Sequence, residues 1–82
     1  MAADSDLVYL RAVGLRVRLM RVTRGMSQEQ LGATSGVSRV TVGSIERGDH
    51  PASVLAYRRL ATALDVHLSV LLDEGEPKGD TA

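Results

Sequence analysis

The sequence predicts an all-α domain of five short helices, and three observations carry that prediction. Apolar residues recur at intervals of three and four, and no run alternates at the period of two that marks a strand. Serines stand where helices would open, at Ser27, Ser38, Ser53 and Ser69, and serine is a strong N-cap. Glycines stand where helices would close, at Gly25, Gly36 and Gly48.

Helix one is expected over residues 7–24, where Leu10, Val13, Val17 and Met20 share one face and Gly25 supplies the stop. Ser27 caps helix two, and Gln30 three residues on completes a capping box. Leu31 is its buried anchor, with Gly32 and Ala33 as small packing residues, and it runs to about Ser35. Gly36 provides the positive φ that a sharp turn needs. Ser38 caps helix three, which buries Val42 and Ile45 and ends near Arg47 before Gly48. After the loop from Asp49 to Ala52, Ser53 caps helix four, with Val54, Tyr57, Leu60, Ala61 and Leu64 as its buried stripe. A last short helix is expected from a Ser69 cap to about Asp73. Residues 1–6 read as a flexible acidic arm, 7–74 as the folded domain and 75–82 as a disordered acidic tail.

Eighty-two residues allow one modest core. The absence of cysteine removes disulfides and thiolate metal sites and suits a reducing, cytoplasmic setting. No apolar run is long enough for a signal segment or a membrane span. Only Tyr9 and Tyr57 are aromatic, which argues against a stacking platform for single-stranded nucleic acid. The net charge of zero hides a segregation: from Leu7 to Leu72 there are nine arginines and four acids, a net of +5, and both ends are acidic. A basic body with acidic tails suits a moderate DNA binder with low non-specific affinity, although an ordinary solvated surface has the same composition.

Helices two and three meet at the small-residue turn Ser35-Gly36-Val37, which makes residues 27–48 a helix-turn-helix. If Val42 and Ile45 face the core, Arg39, Val40, Thr41, Gly43 and Ser44 lie outward or at the rim. Arg39 can grip guanine O6 and N7, Val40 can pack on a thymine methyl, and Thr41 and Ser44 can hydrogen-bond a base or a phosphate. Gly43 can permit close approach to the DNA backbone. Gln28 stands at the start of helix two, where free N–H groups and the helix dipole favour a phosphate. Phosphate contacts are also expected from Arg24, Ser38, Arg47 and His50, with Asp49 an awkward neighbour in that loop.

The fragments GLRVRLMRVTRGMSQEQLG, SGVSRVTVGSIERG and RRLATALDV followed by LSVLL resemble the Cro-type (xenobiotic-response-element) helix-turn-helix family of phage repressors and restriction–modification controllers. The resemblance spans about residues 14–72 without a gap and implies a compact, lambda-repressor-like five-helix domain. It implies a sequence-specific regulator, of repressor or controller type, that binds double-stranded DNA as a homodimer on a near-palindromic operator. It further implies that Gln28 touches phosphate and braces helix three, and that Arg21 and Glu46 form a structural ion pair.

In small members of that family the last helix and the loop before it form the two-fold interface, which points here to Val66, Leu68, Val70, Leu71 and Leu72, although some of these, among Leu68, Leu71 and Leu72, are expected to close the monomer core instead. A second apolar stripe on helix one, Val8, Ala12, Leu15, Leu19 and Val22, complicates this. Either helix one packs against an arm containing Leu7 and Val8, or Leu15, Leu19 and Val22 form the interface instead. No enzyme site is apparent: His50 and His67 are isolated, no metal-ligand spacing occurs, and no phosphate loop precedes a lysine. No cofactor or small-molecule ligand is expected. The rival function is a protein-interaction module or antitoxin-like partner with DNA binding secondary.

Overall fold

The computed structural model describes residues 4–74. Within them the chain is all-helical, with α1 Asp4–Thr23, α2 Gln28–Ser35, α3 Arg39–Arg47, α4 Val54–Ala63 and α5 Leu68–Leu72. The arm expected at residues 1–6 is helical from Asp4 onward, so α1 starts three residues early. Asp4 and Asp6 lie in its first turn, where negative charge complements the exposed N–H groups. Arg24 falls in the turn after α1 rather than within it. Residues 1–3 and the whole of the expected 75–82 tail lie outside the described residues.

Local chemistry sets the remaining boundaries. At α2 the Ser27 hydroxyl accepts from the Gln30 N–H at 3.0 Å, and the Gln30 side chain accepts from the Ser27 N–H at 2.8 Å, a complete capping box. Ser38 and Ser53 cap α3 and α4 in the same way, accepting from Thr41 and Ala56. Gly36 closes α2 at φ 79°, in the left-handed region that turns the chain into α3. The start of α5 differs from expectation. His67 occupies the cap position without a side-chain hydrogen bond, and Ser69 lies inside the helix. Asp65 reaches φ 59° in the preceding turn, a conformation aspartate tolerates better than most residues, and this aims the chain into α5 with its cap two residues sooner.

The core contains Val13 and Val17 of α1, Leu31 of α2, Val42 and Ile45 of α3, Tyr57, Leu60 and Ala61 of α4, Val37, Leu64, and Leu71 of α5. Val54, expected in the α4 stripe, is instead 66% exposed. It is the first residue after the Ser53 cap, at the outer end of the helix. The second stripe of α1 also stays in solvent. Val8 is exposed with Leu15, Leu19 and Val22, so nothing among the described residues covers that face.

The most extensive packing is between α1 and α3, and it depends on Gly14. A Cβ at Gly14 would lie 2.2 Å from the Ile45 carbonyl oxygen and 2.7 Å from that of Glu46. Backbone therefore meets backbone there, which holds α3 at a fixed distance from the rest of the domain. Tyr9 near the start of α1 donates to the Leu72 carbonyl, and Arg16 donates to that of Leu71 at 3.0 Å, so α5 is tied to α1.

Candidate nucleic-acid interface

The site begins with how α3 is held. Arg21 on α1 grips Glu46 on α3 through two bonds, Nε to Oε2 at 2.6 Å and Nη2 to Oε1 at 3.0 Å. Its remaining nitrogen, Nη1, donates to the Met26 carbonyl at 2.7 Å, which ties in the turn before α2. Both side chains are largely buried, at 12% and 4% exposure, so the fork works in a poorly screened setting. The hydrogen bond to Glu46 raises the Arg21 pKa, against the opposing pull of burial.

Gln28 extends the same network. Its Nε2 donates to Glu46 Oε1 at 3.1 Å, so the first residue of α2 is braced against α3. One amide and one carboxylate therefore fix the relative position of the two helices. Glu46 is a scaffold residue, and Arg21 is committed to it.

Outward of this scaffold, the first turn of α3 is solvent-facing. Arg39 is exposed, and Val40 is 73% exposed, the most exposed large apolar side chain described. Thr41 is half-buried and its hydroxyl accepts from Ser38 Oγ at 2.9 Å, while its N–H bonds the same serine at 3.1 Å. The cap therefore occupies both Ser38 and Thr41, although Ser38 remains exposed. Ser44 is half-buried one turn further along.

Two shallow clefts border α3, one at its first turn and one at its last. One, of about 240 Å³, is lined by Gln28, Arg39, Val40, Gly43 and Arg47. The other, of about 270 Å³, is lined by Arg18, Arg21, Gln28, Glu46 and Arg47. They share Gln28 and Arg47, which makes one concave cationic strip along α3. Gly43 lies at its floor. A Cβ there would come within 3.2 Å of Arg47 Nη1 and within 4 Å of both polar atoms of the Gln28 amide. Its missing side chain is the space in which the Gln28 and Arg47 ends lie.

The structure thus gathers Gln28, Arg39, Val40 and Arg47 around one cleft and sets Ser44 on the same short helix. It also adds Arg18, which sequence reasoning passed over. Its signal was the three-residue spacing to Arg21, which puts both on one side of α1.

The other expected phosphate contacts are less concentrated. Arg47 is exposed and pairs with Asp49 at 2.6 Å, so Asp49 neutralises it in the free protein. An exposed pair of this kind is worth only ~0–1 kcal/mol and opens readily. Arg24 is exposed beyond α1 and donates to the Met20 carbonyl at 3.2 Å, and His50 is exposed in the loop after α3.

The expected interface residues separate sharply by burial. Leu71 is fully buried in the monomer core and is unavailable to a partner, which corrects its place in that group. Val66, Leu68 and Leu72 are partly buried against the same core, and Val70 is exposed. Leu55 joins Val54 as an exposed apolar residue at the start of α4, a pair the helical period had turned inward or left unassigned. Among the described residues no group of three or more potential ligands could hold a metal ion, and no helix is long and apolar enough to cross a membrane.

Residues 17–71 match the helix-turn-helix family. The HTH-type transcriptional regulator YgzD of Bacillus subtilis is 40% identical over 53 residues, which cover 65% of this chain and 80% of the relative. Among solved structures, the restriction-modification controller protein C.AhdI from Aeromonas hydrophila superposes with a TM-score of 0.73 at 42% identity, covering 76% of this chain and 94% of that one. A transcription factor, NHTF, from Neisseria superposes with a TM-score of 0.74 at 31% identity, covering 78% and 74%. An exposed first turn on a braced second helix, set in a cationic strip and matched across most of the chain by these regulators, leads to one conclusion: the chain belongs to the helix-turn-helix family of DNA-binding transcriptional regulators.

Proposed function

We propose that this chain is a sequence-specific regulator of repressor or controller type that inserts α3 into the major groove of a near-palindromic operator as a homodimer. The observation that carries the reading is the pairing of Arg39 and Val40, exposed at the start of α3, with the cationic strip of Arg18, Gln28 and Arg47 beside it. Arg39 reads guanine, Val40 packs on a thymine methyl, and Ser44, with Thr41 where its cap bond yields, makes secondary contacts. Gln28 and Arg47 hold phosphates, with Ser38, Arg24 and His50 at the margins. The likeness to a restriction-modification controller supports the regulator reading, and the proposal includes a non-catalytic role in the cytoplasm.

Two copies meet through the exposed apolar residues of α5 and of the start of α4, Val70 on the one helix and Val54 and Leu55 on the helix it packs against. Val66, Leu68 and Leu72 support this surface from beneath. A two-fold pair places the recognition helices one helical turn of DNA, about 34 Å, apart.

Selection of bound duplexes from a random pool tests the reading directly. The expected product is a pair of inverted half-sites separated by about one turn, and Arg39→Ala relaxes preference at one guanine in each, by about 1–3 kcal/mol. Recovery of unrelated sequences, or binding with no dependence on salt, would sink it. Val70→Glu is expected to give monomers in sedimentation, while Leu15→Glu leaves the dimer intact.

A further inference from the structure

Four of the eight large apolar side chains exposed among the described residues lie on α1: Val8, Leu15, Leu19 and Val22, each 52–64% exposed. With half-buried Ala12 they repeat at intervals of four, three, four and three. That is the a/d spacing of a coiled-coil seam. Val13 and Val17 face the core from the other side of the helix, so the seam points directly away from the domain. At 1.5 Å per residue it is about 21 Å long. The proposed α5 surface does not use it, and the clefts beside α3 approach it only at Arg18, in the one lined by Arg21, Gln28, Glu46 and Arg47. An apolar stripe of this length on a small domain marks a place where another surface docks.

The bordering residues identify the occupant. At seven-residue spacing, Asp4, Arg11 and Arg18 run along one edge, and Tyr9, Arg16 and Thr23 along the other. Arg11 and Arg18 are exposed, and neither belongs to an ion pair among the described residues.

A second copy fits poorly. The antiparallel pairing that buries the whole seam, centred on Leu15, sets Arg11 beside Arg18 of the other copy and Arg16 beside Arg16. Parallel pairing sets Arg11 beside Arg16. Sliding the copies to bring Asp4 beside Arg18 leaves Leu19 and Val22 without a partner. Like charges across such a seam oppose association.

We propose that the α1 seam binds an amphipathic helix of a different protein, apolar along one stripe and carrying glutamate or aspartate on both sides of it. The acid on one flank meets exposed Arg11 and Arg18, the acid on the other meets the N–H groups that half-buried Arg16 does not give to the Leu71 carbonyl, and the apolar stripe fills the a/d positions from Val8 to Val22. Because Arg18 also lines the cationic strip beside α3, the docked helix sits at the margin of the DNA-binding face.

The test uses two synthetic three-heptad helices, identical except for glutamate or lysine at every flanking position, titrated into the isotopically labelled full chain. The glutamate helix is expected to bind at least tenfold more tightly. Amide shifts should concentrate on Val8, Ala12, Leu15, Leu19 and Val22, and Leu15→Asp should abolish binding. The double variant Arg11→Glu, Arg18→Glu should transfer the preference to the lysine helix. Circular dichroism confirms that each variant is folded, which surface positions permit. Equal affinity for the two helices, no binding of either, or conversion of dimer to monomer by Leu15→Asp would overturn the proposal, the last by assigning the seam to a second copy.

Discussion

Arg21 and Glu46 show how much one pair of side chains decides in so small a domain. The four groups of this network, Arg21, Glu46, Gln28 and the Met26 carbonyl, come from α1, α3, α2 and the turn before α2. Removing the carboxylate leaves a guanidinium with little water and only one carbonyl. Glu46→Ala is therefore expected to lower stability by about 3 kcal/mol in thermal or denaturant unfolding. Exposed Glu29, in the first turn of α2 and with no side-chain bond among the described residues, should cost less than about 0.5 kcal/mol when changed to alanine. Equal melting temperatures for the two variants would refute the scaffold role. The types and spacing of these residues were legible in the sequence through the family resemblance. The resemblance also implied that Gln28 braces helix three, but not that Glu46 accepts its bond, because an amide's partner depends on which side chain of the neighbouring helix lies within reach.

At the scale of elements, two glycines with the same helical setting have opposite functions. Gly14 is the contact point of α1 and α3, where any Cβ meets backbone. Gly14→Ala should destabilise by about 3 kcal/mol through overpacking, despite the roughly 1 kcal/mol that alanine gains over glycine within a helix. Gly43 faces the flexible ends of Arg47 and Gln28, which can move aside. Gly43→Ala should keep or raise the melting temperature while weakening operator binding, because it narrows the cleft where Gln28 and Arg47 lie. Calorimetry paired with fluorescence anisotropy on the selected operator separates the two effects. Loss of folding in Gly43→Ala would show that the cleft floor is structural. Helical periodicity put both glycines on helices, but it contains no information on what stands opposite them. The same limit explains Val54, whose apolar character suited the stripe but whose position at the first turn turned it to solvent.

For the whole molecule, the closure of α5 on the start of α1 is a separate source of stability. Tyr9 donates to the Leu72 carbonyl across nearly the full described length, so the start of α1 and the end of α5 close on each other. Burial first, then the nearby charge of Glu74, raise the Tyr9 pKa above its ordinary 10.0. The hydroxyl thus keeps its proton in the fold at a pH where the unfolded chain has lost it. Its stabilisation is complete below about pH 10 and disappears as pH rises through the higher folded value. Tyr9→Phe should cost about 1 kcal/mol at neutral pH and flatten the fall of stability above pH 10. An unchanged alkaline limb in denaturation would remove Tyr9 as its cause.

What the sequence determined by itself was the set of elements and the identity of the motif. Caps, stops and period are local, so Ser27, Gln30, Gly36 and Ser38 specify where helices two and three begin, end and turn. Of the residues of α3 expected outward or at the rim, Arg39 and Val40 are exposed and Thr41 and Ser44 half-buried, whereas Gly43 is buried. Tertiary structure decided what burial and proximity decide. It drew Leu71 into the core and left Val70 outside, brought Arg18 beside Arg47, held Arg47 to Asp49, and left the α1 seam open to solvent. These outcomes depend on distances between elements far apart in the chain, and helical periodicity fixes a residue's direction on its own helix without fixing what that direction meets.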